Sequence, residues 1–303
     1  MSFSMELKSE LASVKSKECC EKAMLAGAFQ TASDVTISKE GIKINFQSKN
    51  LEVAKKIYAI VNDLYKVNVT VLAKKQLRLN KEDVYIISID DNDHEIINDI
   101  HLFDNKDSLY EDCCKRSYIK GAFLSNGSIN NPEKSSYHLE IQTFDINKAE
   151  KLKNLLNEYN LKAKTTKNKR GYICYVKEAE KISDFLRLVG AVKKLIDFED
   201  ERINRDFNNS INRIINCEIA NEKKAIEASN KQLEYISIVE NKMFGELKDT
   251  LKEAIFLRKE YPDKTLSELS EVSGDHFSKP ISKSALNHRF RMIKEIAEKY
   301  ESK

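Results

Sequence analysis

A ten-residue stretch, Ile119-Lys120-Gly121-Ala122-Phe123-Leu124-Ser125-Asn126-Gly127-Ser128, recurs in altered form as Leu25-Ala26-Gly27-Ala28-Phe29-Gln30-Thr31-Ala32-Ser33-Asp34. Each copy follows a Cys-Cys pair, Cys113-Cys114 and Cys19-Cys20, so the offset is 113 − 19 = 94 residues. That period is too long for a stacked solenoid unit and describes a duplicated half-domain. Gly and Ala inside an apolar helix let a second backbone come close, so the two copies are expected to pack against each other.

Around these helices the pattern alternates between periods. An amphipathic lead-in helix is predicted from Phe3 to about Lys15. After the first motif helix comes a hairpin (Val35–Ser38, a turn at Lys39-Glu40-Gly41, then Ile42, Ile44 and Phe46). Asn50 reads as the N-cap of a helix bearing Ala54, Ile57, Tyr58, Val61 and Leu64. Strands over Val67–Lys74 and Val84–Ile89 and a short helix near Glu95–Leu102 complete the half. The second half repeats this order with a strand at 137–142 and a helix capped by Asp145. A hairpin turning at 167–171 and a helix over Glu178–Val189 follow.

Both copies resemble the LAGLIDADG helix of homing endonucleases, whose pattern carries Gly third, an acidic residue eighth and Gly ninth. Gly27, Gly121 and Gly127 match; the acidic position is Ala32 in one copy and Asn126 in the other. The resemblance covers roughly residues 17–190. It implies an α+β fold: a duplicated αββαββα saddle with halves at about 17–102 and 111–190. Nucleases of this type need carboxylates at the helix ends to hold divalent cations that activate water. Asn126 is a weak ligand, Ala32 is none, and Asp34 lies two positions too far along. No catalytic residue, metal or cofactor is therefore expected, and the chain is not expected to be an enzyme. The outward sheet residues His138, Glu140, Gln142, Lys43 and Asn45 suit DNA or a protein, though Glu140 would repel phosphate.

The 303 residues allow an appendage beyond the saddle, and the net charge of +3 leaves the case for a polyanionic partner to local clusters. No apolar run approaches a membrane span, and no signal peptide is visible, so a reduced cytosolic protein is expected. The adjacent cysteines lack the C-x₂-C spacing of structural zinc sites, so a packing origin is preferred to metal binding. Three segments are expected: a saddle at 1–195, a helical Asn/Arg-rich connector at 196–245 and a terminal domain at 246–303. The connector carries an apolar stripe (Ile203, Phe207, Ile211, Ile214, Ile215) beside Asn204, Asn208, Asn212 and Asn216. Two readings of the Asn ladder with Arg205 and Arg213 stay open: a solvated face, or a secondary contact surface for DNA or protein.

In the last segment, Leu247 to Leu257 mark one helix. Thr265-Leu266-Ser267-Glu268 is a capping box opening a second that stops at Gly274, and a third runs from Ser282 to Tyr300. This order is that of a helix-turn-helix. On the third helix Leu286, Phe290, Ile293, Ala297 and Tyr300 are expected to face the core. The candidate DNA-binding residues are Lys279, Lys283, Ser284, Asn287, His288, Arg289, Arg291 and Lys294, since Asn and Arg can read base edges while Lys and Ser suit phosphates. From His276 to Lys294 there is no acidic residue.

Taken along the whole chain, the pattern resembles the WhiA family of bacterial regulators. Asn212, Arg213, Asn216, Cys217, Ala220 and Asn221 match its connecting segment. Ser282, Lys283, Ser284, Asn287, His288 and Arg289 match its recognition stretch. The resemblance implies a cytoplasmic, nucleoid-associated, sequence-specific transcriptional regulator of promoter DNA. It also implies links to cell division, chromosome segregation and, in some lineages, sporulation, with another transcription factor or RNA polymerase as a further partner. A non-specific nucleoid scaffold and a residual metal-dependent endonuclease are the alternatives.

Overall fold

The computed structural model describes residues 2–38, 41–74, 83–103, 111–134 and 136–301; the hairpin-turn residues Lys39 and Glu40 lie outside them. The chain divides into two compact units, 1–206 and 207–303.

The first unit opens with α1 (Phe3–Ser13). One half then runs α2 (Glu18–Ala32), β1 (Ser33–Ser38), β2 (Gly41–Ser48), α3 (Leu51–Leu64), β3 (Val69–Lys74), β4 (Val84–Asp90) and α4 (Glu95–Asp99). The other runs α5 (Asp112–Asn126), β5 (Gly127–Ile129), β6 (Leu139–Thr143), α6 (Ile146–Glu158), β7 (Lys164–Asn168), β8 (Gly171–Val176) and α7 (Ala179–Val189). The sheets have matching antiparallel orders, β1-β2-β4-β3 and β5-β6-β8-β7. Strand β5 has too few residues to show an alternating pattern, and sequence reading missed it. Asn50 and Asp145 cap α3 and α6, each side chain accepting from backbone N–H groups of the first turn.

Helices α2 and α5 form the spine of this unit, and their glycines are why. A Cβ on Gly27 would stand 2.0 Å from the Tyr118 carbonyl oxygen, and one on Gly121 would stand 2.0 Å from that of Met24. Tyr118 and Met24 are themselves one repeat period apart, so the crossing obeys a local twofold. Its axis passes between Thr31 and Ser125, another equivalent pair, whose hydroxyls share a buried 2.8 Å hydrogen bond. Phe29, Phe123, Ile44, Phe46, Ile87, Ile89, Leu139 and Ile141 pack around the spine from both sheets.

Helix α8 (Val192–Met243) runs without Gly or Pro through the boundary between the units. Its stripe of Ile203, Phe207, Ile211, Ile214 and Ile215 is exposed rather than buried, with Phe207 at 64%. Its last turns supply Ile236 and Val239 to the core of the second unit. There α9 (Asp249–Glu260), α10 (Leu266–His276) and α11 (Lys283–Glu301) close a small helical core.

Replacing Gly121 by Ala forces backbone apart at the crossing and is expected to cost at least the ~1–3 kcal/mol of an overpacked core. Gly274→Ala, whose Cβ meets only Pro280 at 3.7 Å, is expected to be neutral or stabilising. Urea unfolding of the two variants beside the parent checks the contrast.

Candidate nucleic-acid interface

The second unit is built to present α11. Thr265 and Glu268 close a reciprocal capping box that starts α10. The helix runs through Gly274, which keeps a helical backbone, and ends at His276 instead of stopping at the glycine. The connection to α11 is longer than a tight turn, and two serines hold it. Ser273 Oγ accepts from the Ile281 N–H at 2.7 Å, and Ser270 Oγ donates to the Ile281 carbonyl at 2.7 Å. Neither serine stood out in the sequence.

Arg258 was missed as well, though it is the largest fully buried side chain among the described residues, 2% exposed. Its Nε donates to Gln232 Oε1 of α8 at 2.9 Å. Its Nη1 donates to the Lys264 carbonyl at 2.6 Å and reaches those of Pro262 and Tyr261. The guanidinium lies over the Phe290 ring, 5.5 Å from its centre. One side chain thus ties α8, α9, the turn before α10 and α11 together. An arginine in an otherwise charged, amphipathic helix carries no local sign of this role.

On α11, Leu286, Phe290, Ile293 and Ala297 are buried as the periodicity predicts, whereas Tyr300, in the last turn, is 42% exposed. Ser284, Asn287, His288 and Arg291 share the opposite, exposed face, with Lys283 exposed at its start and Lys279 in the preceding loop. Leu266, Ser282, Lys283, Ser284 and Asn287 line a shallow groove beside this end. Arg289 stands apart. It is half-buried and bonds Glu253 of α9 at 2.7 Å, so it braces the helix pair instead of projecting toward a ligand. Lys294 makes an exposed pair with Glu298 at 3.5 Å, an interaction of little energetic weight.

Among the secondary candidates, Asn212, Arg213 and Asn216 are exposed on α8. Arg205 is not free: its guanidinium donates to the Pro132 carbonyl at 2.7 Å and covers the Tyr137 ring at 4.6 Å. The outward sheet residues are tied into local polar pairs. Glu140 bonds His138 at 3.1 Å, Lys43 pairs with Asp90 at 3.7 Å, and Asn45 accepts from Ser88 at 2.7 Å.

At the C-terminal ends of α2 and α5, Asn126 Nδ2 donates to the Thr31 carbonyl at 3.3 Å. Ala32 offers no ligand atom, and Asp34 lies exposed on β1. Lys8 of α1 donates from Nζ to the Ser125 carbonyl at 3.2 Å, setting a cation at the negative end of α5. Burial pulls its pKa down to about 8. The N-terminal ends of the same helices gather the thiols of Cys19, Cys20, Cys113 and Cys114 within 4.8 Å of one another. Spacing within each pair argued against a cluster; it could not show that the fold brings the two pairs together.

Two duplicated sheets on a LAGLIDADG-like helix pair, followed by a three-helix unit with a basic terminal helix, define a helix-turn-helix protein on a degenerate LAGLIDADG-like scaffold. Three family models match in succession: the WhiA N-terminal LAGLIDADG-like domain over 18–103, the WhiA LAGLIDADG-like domain over 115–208 and the WhiA C-terminal HTH domain over 211–297. The chain is 42% identical to a protein of Oceanobacillus iheyensis named a probable cell division protein WhiA, covering 99% of this chain and 98% of that one. It is 43% identical to a Bacillus cereus protein of the same name, over 99% and 97%. The crystal structure of full-length WhiA from Thermatoga maritima shares the fold at a TM-score of 0.61 and 21% identity, over 99% of both chains. The chain belongs to the WhiA family.

Arg258→Ala would strand several buried carbonyls at ~1–3 kcal/mol each. It is expected to melt the second unit well before the first, visible as a split thermal transition by circular dichroism. For Lys8, the folded state holds its proton less firmly than the unfolded state, whose pKa is near 10.5. Stability should therefore rise with pH between about 8 and 10.5 on its account. Denaturation of Lys8→Met across that window is expected to lack this rise relative to the parent.

Proposed function

We propose that the protein is a sequence-reading transcriptional regulator that docks α11 in the major groove of promoter DNA. The exposed face of the first turns of α11, free of acidic side chains as far as Lys294, carries this reading. Asn287 and Arg291 can meet base edges bidentately, Ser284 and His288 flank them, and Lys279 and Lys283 stand at the phosphate-facing end. Arg289 supports the reader through Glu253, and Lys294 adds a peripheral charge. The relatives' naming as cell division proteins supports a role in division, and the family resemblance extends it to chromosome segregation and, in some lineages, sporulation. A cytoplasmic, nucleoid-associated protein follows from that partner.

The helix ends of the first unit offer an amide and a methyl where a hydrolytic centre needs carboxylates, which favours a non-catalytic scaffold over an endonuclease. A second reading, a nucleoid or division scaffold held weakly on DNA, is favoured by the exposed apolar stripe of α8 beside Asn212, Arg213 and Asn216. That stripe also suits a protein partner such as another transcription factor or RNA polymerase.

Binding to the protein's own promoter and to a scrambled duplex, titrated across salt with Mg²⁺ present, separates these readings. Promoter preference is expected, with no strand cut. Asn287→Ala is expected to relax specificity at one base position by ~1–3 kcal/mol, and Lys283→Ala to weaken both duplexes and flatten the salt slope by about one ion. Equal affinity for both duplexes would establish the scaffold reading instead.

A further inference from the structure

The four clustered cysteines have no part in DNA recognition, and their geometry asks for an explanation. Cys19 and Cys20 occupy the second and third positions of α2; Cys113 and Cys114 occupy the same positions of α5. Side chains of consecutive helical residues diverge by about 100°, so each pair brackets a point from two sides. Two such pairs, related by the local twofold, enclose it from four. A tetrahedral zinc tetrathiolate with metal–sulfur bonds of ~2.3 Å needs sulfurs about 3.8 Å apart, and all four lie within 4.8 Å of one another. Cys20 and Cys114 are buried, Cys19 and Cys113 exposed, so the point has an inner wall and an entry path.

The surroundings favour negative charge. Neither helix start carries a side-chain cap, so backbone N–H groups and the positive helix ends converge there.

We propose that Cys19, Cys20, Cys113 and Cys114 form a tetrathiolate site for a thiophilic divalent cation of the zinc class, stapling the N-terminal ends of the two motif helices. Each ligating thiol gives up its proton on binding, so one cation displaces four protons, with no change of oxidation state. The site is structural: all four positions around the ion are protein ligands, leaving none for water. It lies at the ends of α2 and α5 opposite Ala32 and Asn126, and so differs in place and in chemistry from a carboxylate-held hydrolytic centre.

The test uses the full chain, reduced and freed of metal by a chelator, then titrated with Zn²⁺ or Co²⁺. The expected result is one ion per chain, a cobalt spectrum of tetrahedral thiolate type and a raised melting midpoint. Cys217→Ser is expected to keep all three, and Cys19→Ser/Cys113→Ser to lose them with its helical spectrum intact. Alkylation of the unmodified chain gives a check that needs no variant: Zn²⁺ should protect the exposed Cys19 and Cys113. Failure to bind when reduced, or binding undiminished in the double variant, would overturn the proposal. So would loss of the four thiols to cross-helix disulfides in place of metal uptake.

Discussion

The carbonyl oxygens of Met24 and Tyr118 stand where Cβ atoms on Gly121 and Gly27 would have to be, and the first unit depends on those two absences. Close approach of α2 and α5 puts the Thr31 and Ser125 hydroxyls within bonding distance and sets the line about which the two sheets repeat. It also decides what the helix ends can hold. At one end an amide meets a carbonyl; at the other, two pairs of thiols converge. A single steric condition thus fixes the symmetry, the core and the chemistry at both ends of the spine.

The second unit rests on a different device. Its core is small, and Arg258 supplies hydrogen bonds at its centre where an aliphatic side chain would supply only area. Because the guanidinium is planar and carries several donors, it can satisfy a side-chain amide and several turn carbonyls at once. This geometry holds α11 against α9, with the Arg289–Glu253 pair as a second brace.

Much of this was legible in the sequence, and the exceptions have physical causes. Period-two and period-3.6 patterns disclosed most elements because one face of each is buried. Strand β5 was invisible at three residues, and Gly274 suggested a helix stop although nothing required a left-handed backbone there. The α8 stripe has the periodicity of a core face yet is exposed, since periodicity reports amphipathicity and not whether a partner is present. The core-facing arc of α11 was legible from Leu286 to Ala297, though not at Tyr300. Periodicity set Arg289 on the flank and Arg291 opposite the core but could not show that Arg289 is an internal brace. Only the position of Glu253, 36 residues earlier, gives Arg289 its bonded partner. Tertiary convergence hid the thiol cluster and Arg258 for the same reason: spacing along a chain says nothing about what a second segment brings.

The bond from Asn126 to the Thr31 carbonyl has a consequence for the history open to this chain. Asn126→Asp alone would replace a donor with an acceptor, setting a carboxylate against a carbonyl while position 32 still offers no ligand. Ala32→Asp alone would add one acidic group at a helix end whose negative pole disfavours it. Each single step toward a cation-binding helix end loses favourable interactions before the second can repay them. The arrangement acts as a ratchet against recovering such a site one residue at a time.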